Sequence, residues 1–211
     1  MIEQGTPEWH RQRLGKVTAS RIADIMAVTK TGPAASRANY IAELVAARLT
    51  GIVPESYSND AMRWGTEQEP FARAAYEVLR NVMVEEVGFI DHASITMSGA
   101  SPDGLVGVDG MVEIKCPNTA THIEFLLTGK IPQKYLYQIA WQLSCCDRDW
   151  CDYASYDPRL PEKLQLKVVR VARDHALNGS LMIAVTEFND EVAATVAKLN
   201  SLGDINHGIS Q

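Results

Sequence analysis

Apolar side chains recur every three or four residues along several stretches of the chain, which is the spacing of one face of a helix. Thr6 as N-cap, followed by Pro7 and Glu8, predicts a short helix that ends near Gly15. Ser20 is predicted to cap a second short helix over Arg21–Ala27. The longer predicted helices are Ala35–Leu49, Ala61–Leu79, Thr121–Leu127, Lys134–Ser144 and an amphipathic one from about Asp174 to Leu199.

Other stretches alternate apolar and polar residues with a period of two, which is typical of strands. The predicted strands are Val82–Asp91, Ile95–Ser98, Leu105–Val108, Met111–Cys116, Trp150–Tyr156 and Leu164–Arg173. Asp109-Gly110 predicts a tight hairpin turn. Thr31-Gly32-Pro33 predicts a loop, and Gly51 and Pro54 end the third helix. The order of these elements predicts an α/β fold, an α+β mixed sheet flanked by helices, built by residues 1–211 as one domain.

Composition narrows the class of protein and leaves the predicted α/β fold unchanged. Of 211 residues, 46% are hydrophobic and 22% charged, which excludes a disordered or fibrous chain. No apolar run approaches the roughly 20 residues of a membrane span, and the first residues carry no secretory signal pattern. The four cysteines show no CxxC pair. They are expected to be thiols of a reducing cytoplasm.

Charge is distributed unevenly along the chain. The formal net charge is −6, yet residues 1–48 carry seven Lys or Arg against four acids. Residues 55–113 carry three Arg against eleven acids. A basic opening and an acidic middle suit a protein that binds phosphate at one place and a divalent cation at another. A solvated surface of uneven composition explains the charges equally simply.

The most informative segment is the hairpin that contains Asp103, Glu113 and Lys115. Glu113 and Lys115 are two residues apart on one strand, so their side chains point to the same face. The turn folds that face back beside Asp103, and the Ile114 carbonyl is a candidate for a further oxygen ligand. Two carboxylates repel unless a cation lies between them, and Mg²⁺ prefers oxygen ligands. A lysine beside them can help to deprotonate water or neutralise charge at phosphorus, so the set fits phosphodiester hydrolysis.

A D-x₉-E-x-K spacing alone arises often by chance, and the alternative is an exposed hairpin in which Glu113 and Lys115 form a simple strand pair. Three features favour a site. Asp103 lies between a proline and a glycine. The two charges on the second strand interrupt an apolar run, where they are costly unless paired. Carboxylates at Glu67 and Glu69 on the preceding helix could complete a cluster.

The sequence carries only weak signals for other catalytic or metal-binding sites. The five histidines are scattered without metal-ligand spacing, and there is no GxSxG, P-loop or GxGxxG motif. Cys116 occupies an apolar strand position, which favours a buried hydrophobe over a nucleophile.

With these residues in place, the chain resembles the lambda exonuclease family, the phage-type alkaline exonucleases of the viral recombinase group. That family has a restriction-endonuclease-like core. The segments that carry the resemblance are Trp9-His10-Arg11-Gln12-Arg13-Leu14-Gly15, Thr18-Ala19-Ser20, Trp64-Gly65 through Glu69, Ser101-Pro102-Asp103-Gly104-Leu105, Glu113-Ile114-Lys115-Cys116-Pro117, Tyr137-Gln138 with Gln142, and Tyr156-Asp157-Pro158-Arg159.

The resemblance implies a Mg²⁺-dependent 5′→3′ exonuclease, with Mn²⁺ as a possible substitute. It would release mononucleotides from double-stranded DNA ends and leave a 3′ single strand for recombination. A homotrimeric ring and a single-strand annealing protein as partner are implied as well. Asp103, Glu113 and the Ile114 carbonyl would bind metal, and Lys115 would be the catalytic lysine. The resemblance also implies that Glu69 supports the metal and that Gln138 lies at the catalytic edge.

Arg13 and Ser20 match the family's 5′-phosphate pocket. A helix capped by Ser20 would attract an anion, and Arg13 can form a forked contact with phosphate oxygens. Simple capping and a surface ion pair are the alternatives for these two residues. Arg37 and Lys134 are either DNA-backbone contacts or ordinary solvated charges.

Two other functions remain open at this stage. A site-specific endonuclease could use the same hairpin, but the sequence shows no obvious insertion for reading bases. A non-catalytic scaffold that binds DNA ends is disfavoured by the complete set of Asp103, Glu113 and Lys115.

Overall fold

The computed structural model describes residues 2–30, 32–53 and 59–208, and side chains up to residue 202. Thr31 and Pro54, for which a loop and a helix end are predicted, lie outside these ranges. The helices are α1 (Pro7–Gln12), α2 (Ile22–Met26), α3 (Ala35–Thr50), α4 (Asp60–Arg80), α5 (Thr119–Thr128), α6 (Gln133–Cys146), α7 (Glu162–Gln165) and α8 (His175–Gly208). The strands are β1 (Val17–Thr18), β2 (Val28–Thr29), β3 (Gly32–Pro33), β4 (Val84–Glu85), β5 (Ile90–Asp91), β6 (Ser98–Ala100), β7 (Gly104–Val106), β8 (Gly110–Lys115), β9 (Trp150–Tyr156) and β10 (Leu166–Ala172).

The main sheet has five strands in the order β10-β9-β8-β7-β4. Strands β8 and β9 run parallel, with Lys115 opposite Ser155, and the other pairs are antiparallel. A smaller mixed sheet has the order β1-β6-β5, and β2 pairs with β3. The chain is thus an α/β fold with mixed sheets, as predicted.

Helices cover both faces of the main sheet. On one face α4 contributes Ala72 and Tyr76 to a cluster with Val112, Ile114 and the β9 side chains. On the other face α5 and α6 pack against alternate residues of the same strands, Met111 among them. Because β8 is covered on both sides, every one of its residues is uncharged except Glu113 and Lys115. Its two charged residues therefore lie in an unusually dry part of the molecule.

Helix α6 belongs to two hydrophobic clusters. Ile139 and Leu143 pack against the main sheet. Ala140 and Trp141 pack into a second cluster built by α2, α3 and α8, which includes Phe188. The predicted apolar face of α8 supplies this cluster through Leu181, Val185, Phe188 and Val192, all fully buried.

Most predicted helices lie within a few residues of their expected limits, because their termini carry clear signals. The Thr6 side chain accepts a hydrogen bond from the Trp9 amide at the start of α1. Gly51 ends α3 in the left-handed conformation, with φ of 64°. The four cysteines are free, as expected.

Several strand predictions are wrong in detail. The segment predicted as Val82–Asp91 holds two separate two-residue strands, β4 and β5, which join different sheets. Of Ile95–Ser98 only Ser98 is in a strand, because the chain turns at Met97 with φ of 57°. Gly32 and Pro33 pair with β2 instead of forming a loop.

The turn of the central hairpin also differs from the Asp109-Gly110 prediction. Val106 pairs with Gly110, so the loop is three residues long, and Gly107 has the positive φ of 59°. Gly110 is needed for another reason. A Cβ there would lie 2.1 Å from the Trp150 ring, so only glycine fits without a shift.

No helix in the described ranges is long and apolar enough to cross a membrane.

Candidate active site

The β7–β8 hairpin brings the three predicted residues together. Lys115 Nζ donates to Glu113 Oε1, which shows that the two side chains share a face. Asp103 lies just before β7, and its Oδ2 accepts a 2.6 Å hydrogen bond from the Ile114 amide. The predicted convergence of two carboxylates and an ammonium is therefore present in the structure.

Helix α6 holds the Glu113 carboxylate in place. Gln138 Nε2 donates to Oε1 at 2.7 Å, and Gln142 Nε2 donates to Oε2 at 2.7 Å. Glu113 and Gln142 are both fully buried. This places Gln138 beside the site, where the resemblance put it. The resemblance included Gln142 but gave it no role, although its i, i+4 spacing from Gln138 places both amides on one helix face.

Burial and mutual repulsion set the charges of this cluster. Burial, reinforced by the nearby Glu113 carboxylate, raises the pKa of Asp103 well above its ordinary value. Burial alone would lower the pKa of Lys115, but Glu113 and Asp103 raise it above that of a free lysine. Lys115 is therefore a permanent cation, and it acts as a fixed positive charge beside the carboxylates.

The cluster lies at the base of a cleft of about 1090 Å³. The predicted residues Glu69, Asp103, Ile114, Lys115 and Gln138 all line it. Glu113 lies beneath them.

Glu69 and Glu67 differ in position, although both are on α4. Glu69 lies near Lys115 and Glu113, pairs with Arg73 at 2.8 Å, and has its pKa raised by burial. Glu67 is exposed and does not line the cleft. The carboxylates available to the cluster are thus Asp103 and Glu113, with Glu69 beside them.

The donor set fits a hard divalent cation. Two carboxylates are offset by one ammonium, and all candidate ligand atoms are oxygens, including the Ile114 carbonyl. Among the described residues no group of three His, Cys, Asp or Glu side chains is arranged to hold a metal ion. Any cation here would therefore rely on backbone oxygen and water beyond Asp103 and Glu113.

The structure corrects the argument for Ser20. Ala19–Arg21 form a 3₁₀ turn, α2 begins at Ile22, and no side chain caps either element. Ser20 is therefore not an N-cap, and α2 is too short to support an anion through its dipole. Ser20 is nevertheless exposed and lines the cleft, with its hydroxyl 3.5 Å from that of Thr18.

Arg13 lies outside the residues that line the cleft. Its guanidinium carbon is 3.8 Å from the centre of the Trp9 ring, and burial lowers its pKa. Within the described residues its buried Nε has no hydrogen-bond partner. A half-buried guanidinium without a carboxylate is a plausible anion ligand on chemical grounds.

Arg37 and Lys134, each predicted as either a DNA-backbone contact or an ordinary surface charge, have different surroundings. Arg37 forms an ion pair with Glu191 at 2.8 Å and lies over Phe188. Lys134 lines the cleft beside Tyr135. Cys116 also lines it, but burial raises its pKa to about 12, so it stays a thiol at neutral pH.

Comparison with known proteins identifies the class. A family model described as the YqaJ-like viral recombinase domain matches residues 8–149. The crystal structure of LHK-Exo, an alkaline exonuclease from Laribacter hongkongensis, in complex with dAMP is 50% identical, with a TM-score of 0.88. That match covers 94% of this chain and 98% of the other. A second LHK-Exo structure is 49% identical, with the same TM-score and coverage.

A phage-related exonuclease from Haemophilus somnus 129PT shares the fold at 14% identity, with a TM-score of 0.69 over 90% of this chain and 99% of the other. No curated protein matches the chain.

Fold, site and comparisons together define an exodeoxyribonuclease of the lambda exonuclease type. The chain belongs to the YqaJ-like viral recombinase domain family.

Proposed function

We propose that this chain is a Mg²⁺-dependent 5′→3′ exonuclease that degrades one strand of double-stranded DNA from 5′-phosphorylated ends. The observation that carries the proposal is the convergence of Asp103, Glu113 and Lys115, of which Asp103 and Lys115 line one cleft and Glu113 is buried beside them. Its products would be mononucleotides and a 3′ single strand that serves recombination by annealing. The whole chain, residues 1–211, would act as one nuclease domain.

The chain's residues would divide the chemical work. Asp103, Glu113 and the Ile114 carbonyl would hold the cation, with Glu69 supporting it and Mn²⁺ as a possible substitute. A bound divalent cation supplies Lewis-acid charge that lowers the pKa of an attacking water and offsets charge at phosphorus. Lys115, a permanent cation, would orient that water and stabilise negative charge on the phosphate. Gln138 and Gln142 keep the Glu113 carboxylate in one orientation.

The preference for ends would come from a terminal phosphate held at a fixed distance from the cation. We assign that contact to Arg13 and Ser20. Arg13 brings a half-buried guanidinium that pairs with no carboxylate among the described residues, and Ser20 lines the cleft. Only a chain end offers a terminal phosphate, so internal linkages would not be positioned for attack.

Digestion of linear duplex labelled at either the 5′ or the 3′ end, with and without Mg²⁺, tests this function. We expect early release of the 5′ label as a mononucleotide, retention of the 3′ label, and no release without the cation. A covalently closed circular duplex should remain intact. Early loss of the 3′ label would refute the polarity, and cleavage of the circle would favour an endonuclease.

Replacing Arg13 by alanine should remove the preference for 5′-phosphorylated over 5′-hydroxyl ends. A hydrogen bond to a charged group contributes about 1.5–3 kcal/mol, which corresponds to a preference of roughly 10- to 100-fold. Initial rates on the two substrates measure it. Arg11→Ala is the matched control, because Arg11 is exposed in the last turn of α1, two residues before Arg13, and is paired with Glu8. A retained preference in Arg13→Ala would remove Arg13 from the pocket.

Mg²⁺ binding should strengthen as pH rises. The raised pKa of Asp103 means that a proton competes with the cation for this carboxylate. The folded state also holds this proton more tightly than the unfolded state, so the metal-free protein should lose stability as pH rises through that range. The Mg²⁺-induced increase in melting temperature should therefore grow from mildly acidic to alkaline pH. Asp103→Asn should show a flat profile, and equal pH dependence in both proteins would contradict the assignment.

The assembly and partners are proposed on the resemblance alone. A homotrimeric ring would need positive potential only along its channel, so a net charge of −6 is compatible with DNA binding. Mass measurement by light scattering tests the trimer. A single-strand annealing protein would receive the 3′ strand in the cytoplasm, where four free cysteines stay reduced.

A further inference from the structure

The segment Asp157-Pro158-Arg159, directly after β9, carries an arginine that is fixed in one orientation. Arg159 Nε donates to Asp157 Oδ1 at 2.6 Å, and Nη2 donates to Oδ2 at 3.0 Å. Nη2 also donates to the Pro117 carbonyl at 3.1 Å. The Asp157 carboxylate is fully buried, yet hydrogen bonds from Arg159 and Thr119 overcome the effect of burial and lower its pKa to about 2. Asp157 is thus a permanent anion that anchors the guanidinium.

One nitrogen of this guanidinium is left for another partner. The Arg159 carbon Cζ lies 4.5 Å from the centre of the Trp64 ring on α4, so the planar group is also stacked. Nε and Nη2 are occupied, but no described residue accepts a hydrogen bond from Nη1. The side chain is 45% exposed, so Nη1 is accessible to a ligand.

Arg159 lines the same cleft as Asp103 and Lys115. The Pro117 carbonyl to which it is bonded is two residues beyond Lys115, a separation of at most about 7 Å along the chain. Both residues line one cleft, so a DNA strand with one linkage at Lys115 would also pass the guanidinium.

We propose that Arg159 is a substrate-binding residue that holds a backbone phosphate of the DNA strand next to the linkage being cleaved. This proposal rests on the proposed function and adds a second phosphate contact to it. Guanidinium donors match phosphate oxygens in geometry, and a group that is already oriented loses little entropy on binding. In the described part of the chain, three cations line the cleft. Lys115 is committed to Glu113, and Lys134 lies over the Tyr135 ring. Arg159 is fixed by Asp157 and still has one donor, Nη1, without an acceptor among the described residues.

The competing explanation is that Arg159 only neutralises Asp157. Arg170 provides a control for it, because it also binds a buried aspartate, although Asp152 keeps Tyr76 as a donor at 3.0 Å when Arg170 is replaced. Arg170 forms two hydrogen bonds with the fully buried Asp152, at 2.8 and 3.0 Å, and stacks 3.5 Å from the centre of the Trp150 ring. It is 51% exposed but lies on the edge strand β10 and does not line the cleft. A purely structural role predicts the same outcome for both arginines.

The experiment compares wild type, Arg159→Gln, Arg159→Lys and Arg170→Gln. Fluorescence anisotropy measures the affinity for a 5′-phosphorylated duplex end across a salt series without Mg²⁺, and thermal melting confirms that each variant is folded. We expect Arg159→Gln to bind about tenfold more weakly, since it loses a charged hydrogen bond. Its salt-dependence slope should fall by about one. Arg159→Lys should recover the slope but only part of the affinity, and Arg170→Gln should bind as wild type does.

Unchanged binding by Arg159→Gln would overturn the proposal, and so would an equal loss in Arg159→Gln and Arg170→Gln. Full recovery of affinity in Arg159→Lys would overturn the role of the fixed guanidinium. Failure of the proposed function would be seen separately, as wild-type protein that does not digest linear duplex when Mg²⁺ is supplied.

Discussion

Lys115→Ala should abolish cleavage while the binding of DNA ends persists. Lys115 is the ammonium that contacts the buried Glu113 carboxylate, and its raised pKa keeps it charged. Removing a fixed charge that stabilises the transition state costs about 10²- to 10³-fold in rate. Single-turnover digestion of 5′-phosphorylated duplex measures the rate, and anisotropy measures end binding.

Lys167→Ala is the control for this variant. Its Nζ donates to the Leu126 carbonyl at 2.7 Å, and the residue does not line the cleft. The Lys167→Ala variant also loses a lysine with a fixed contact, so it measures how far such a loss alone changes the cleavage rate and end binding. Unchanged digestion by Lys115→Ala would refute the assignment of the active site.

Glu113→Gln should eliminate Mg²⁺-dependent cleavage and also destabilise the fold. Both Glu113 oxygens accept hydrogen bonds, from Gln138 and Gln142. A glutamine places an amide donor against one of these donors, and an unsatisfied buried group costs about 1–3 kcal/mol. We expect a loss in rate of about 10³-fold, the scale of a lost catalytic electrostatic contact. We also expect a lower free energy of unfolding in denaturant, with no Mg²⁺-induced rise in melting temperature.

Glu67→Gln makes the same chemical change at an exposed position of α4 outside the cleft. It should alter neither rate nor stability measurably. A Glu113→Gln protein that still gains stability from Mg²⁺ would show that the cation binds elsewhere.

The convergence of Asp103, Glu113 and Lys115 could be predicted from sequence because it depends on local rules. Alternation along a strand places Glu113 and Lys115 on one face, and a hairpin returns the chain to Asp103. The hydrogen bonds from Gln138 and Gln142 to Glu113 depend on which helix covers that face of the strand. Tertiary packing decides which helix that is. An i, i+4 pair of amides is a signal only once the partner strand is known.

Two of the wrong predictions have their physical origin outside the local sequence. Ser20 has good capping chemistry, but the chain enters α2 through a 3₁₀ turn that the local sequence does not specify. Gly110 follows an aspartate as turn glycines do, yet it is required by the Trp150 ring across the sheet. At Gly110 a contact distant in sequence decides which residue is required, whereas at Ser20 the path of the backbone departs from the local preference.

Helix α6 packs into two hydrophobic clusters, one against the main sheet and one against α2, α3 and α8. It also carries the amides that hold Glu113. The orientation of the Glu113 carboxylate therefore depends on how the interior of the protein packs against α6. A displacement of about 1 Å at a reacting group can cost about 10²-fold in rate. Substitutions around Trp141 or Phe188, which do not line the cleft, would thus lower the rate of cleavage by shifting Glu113.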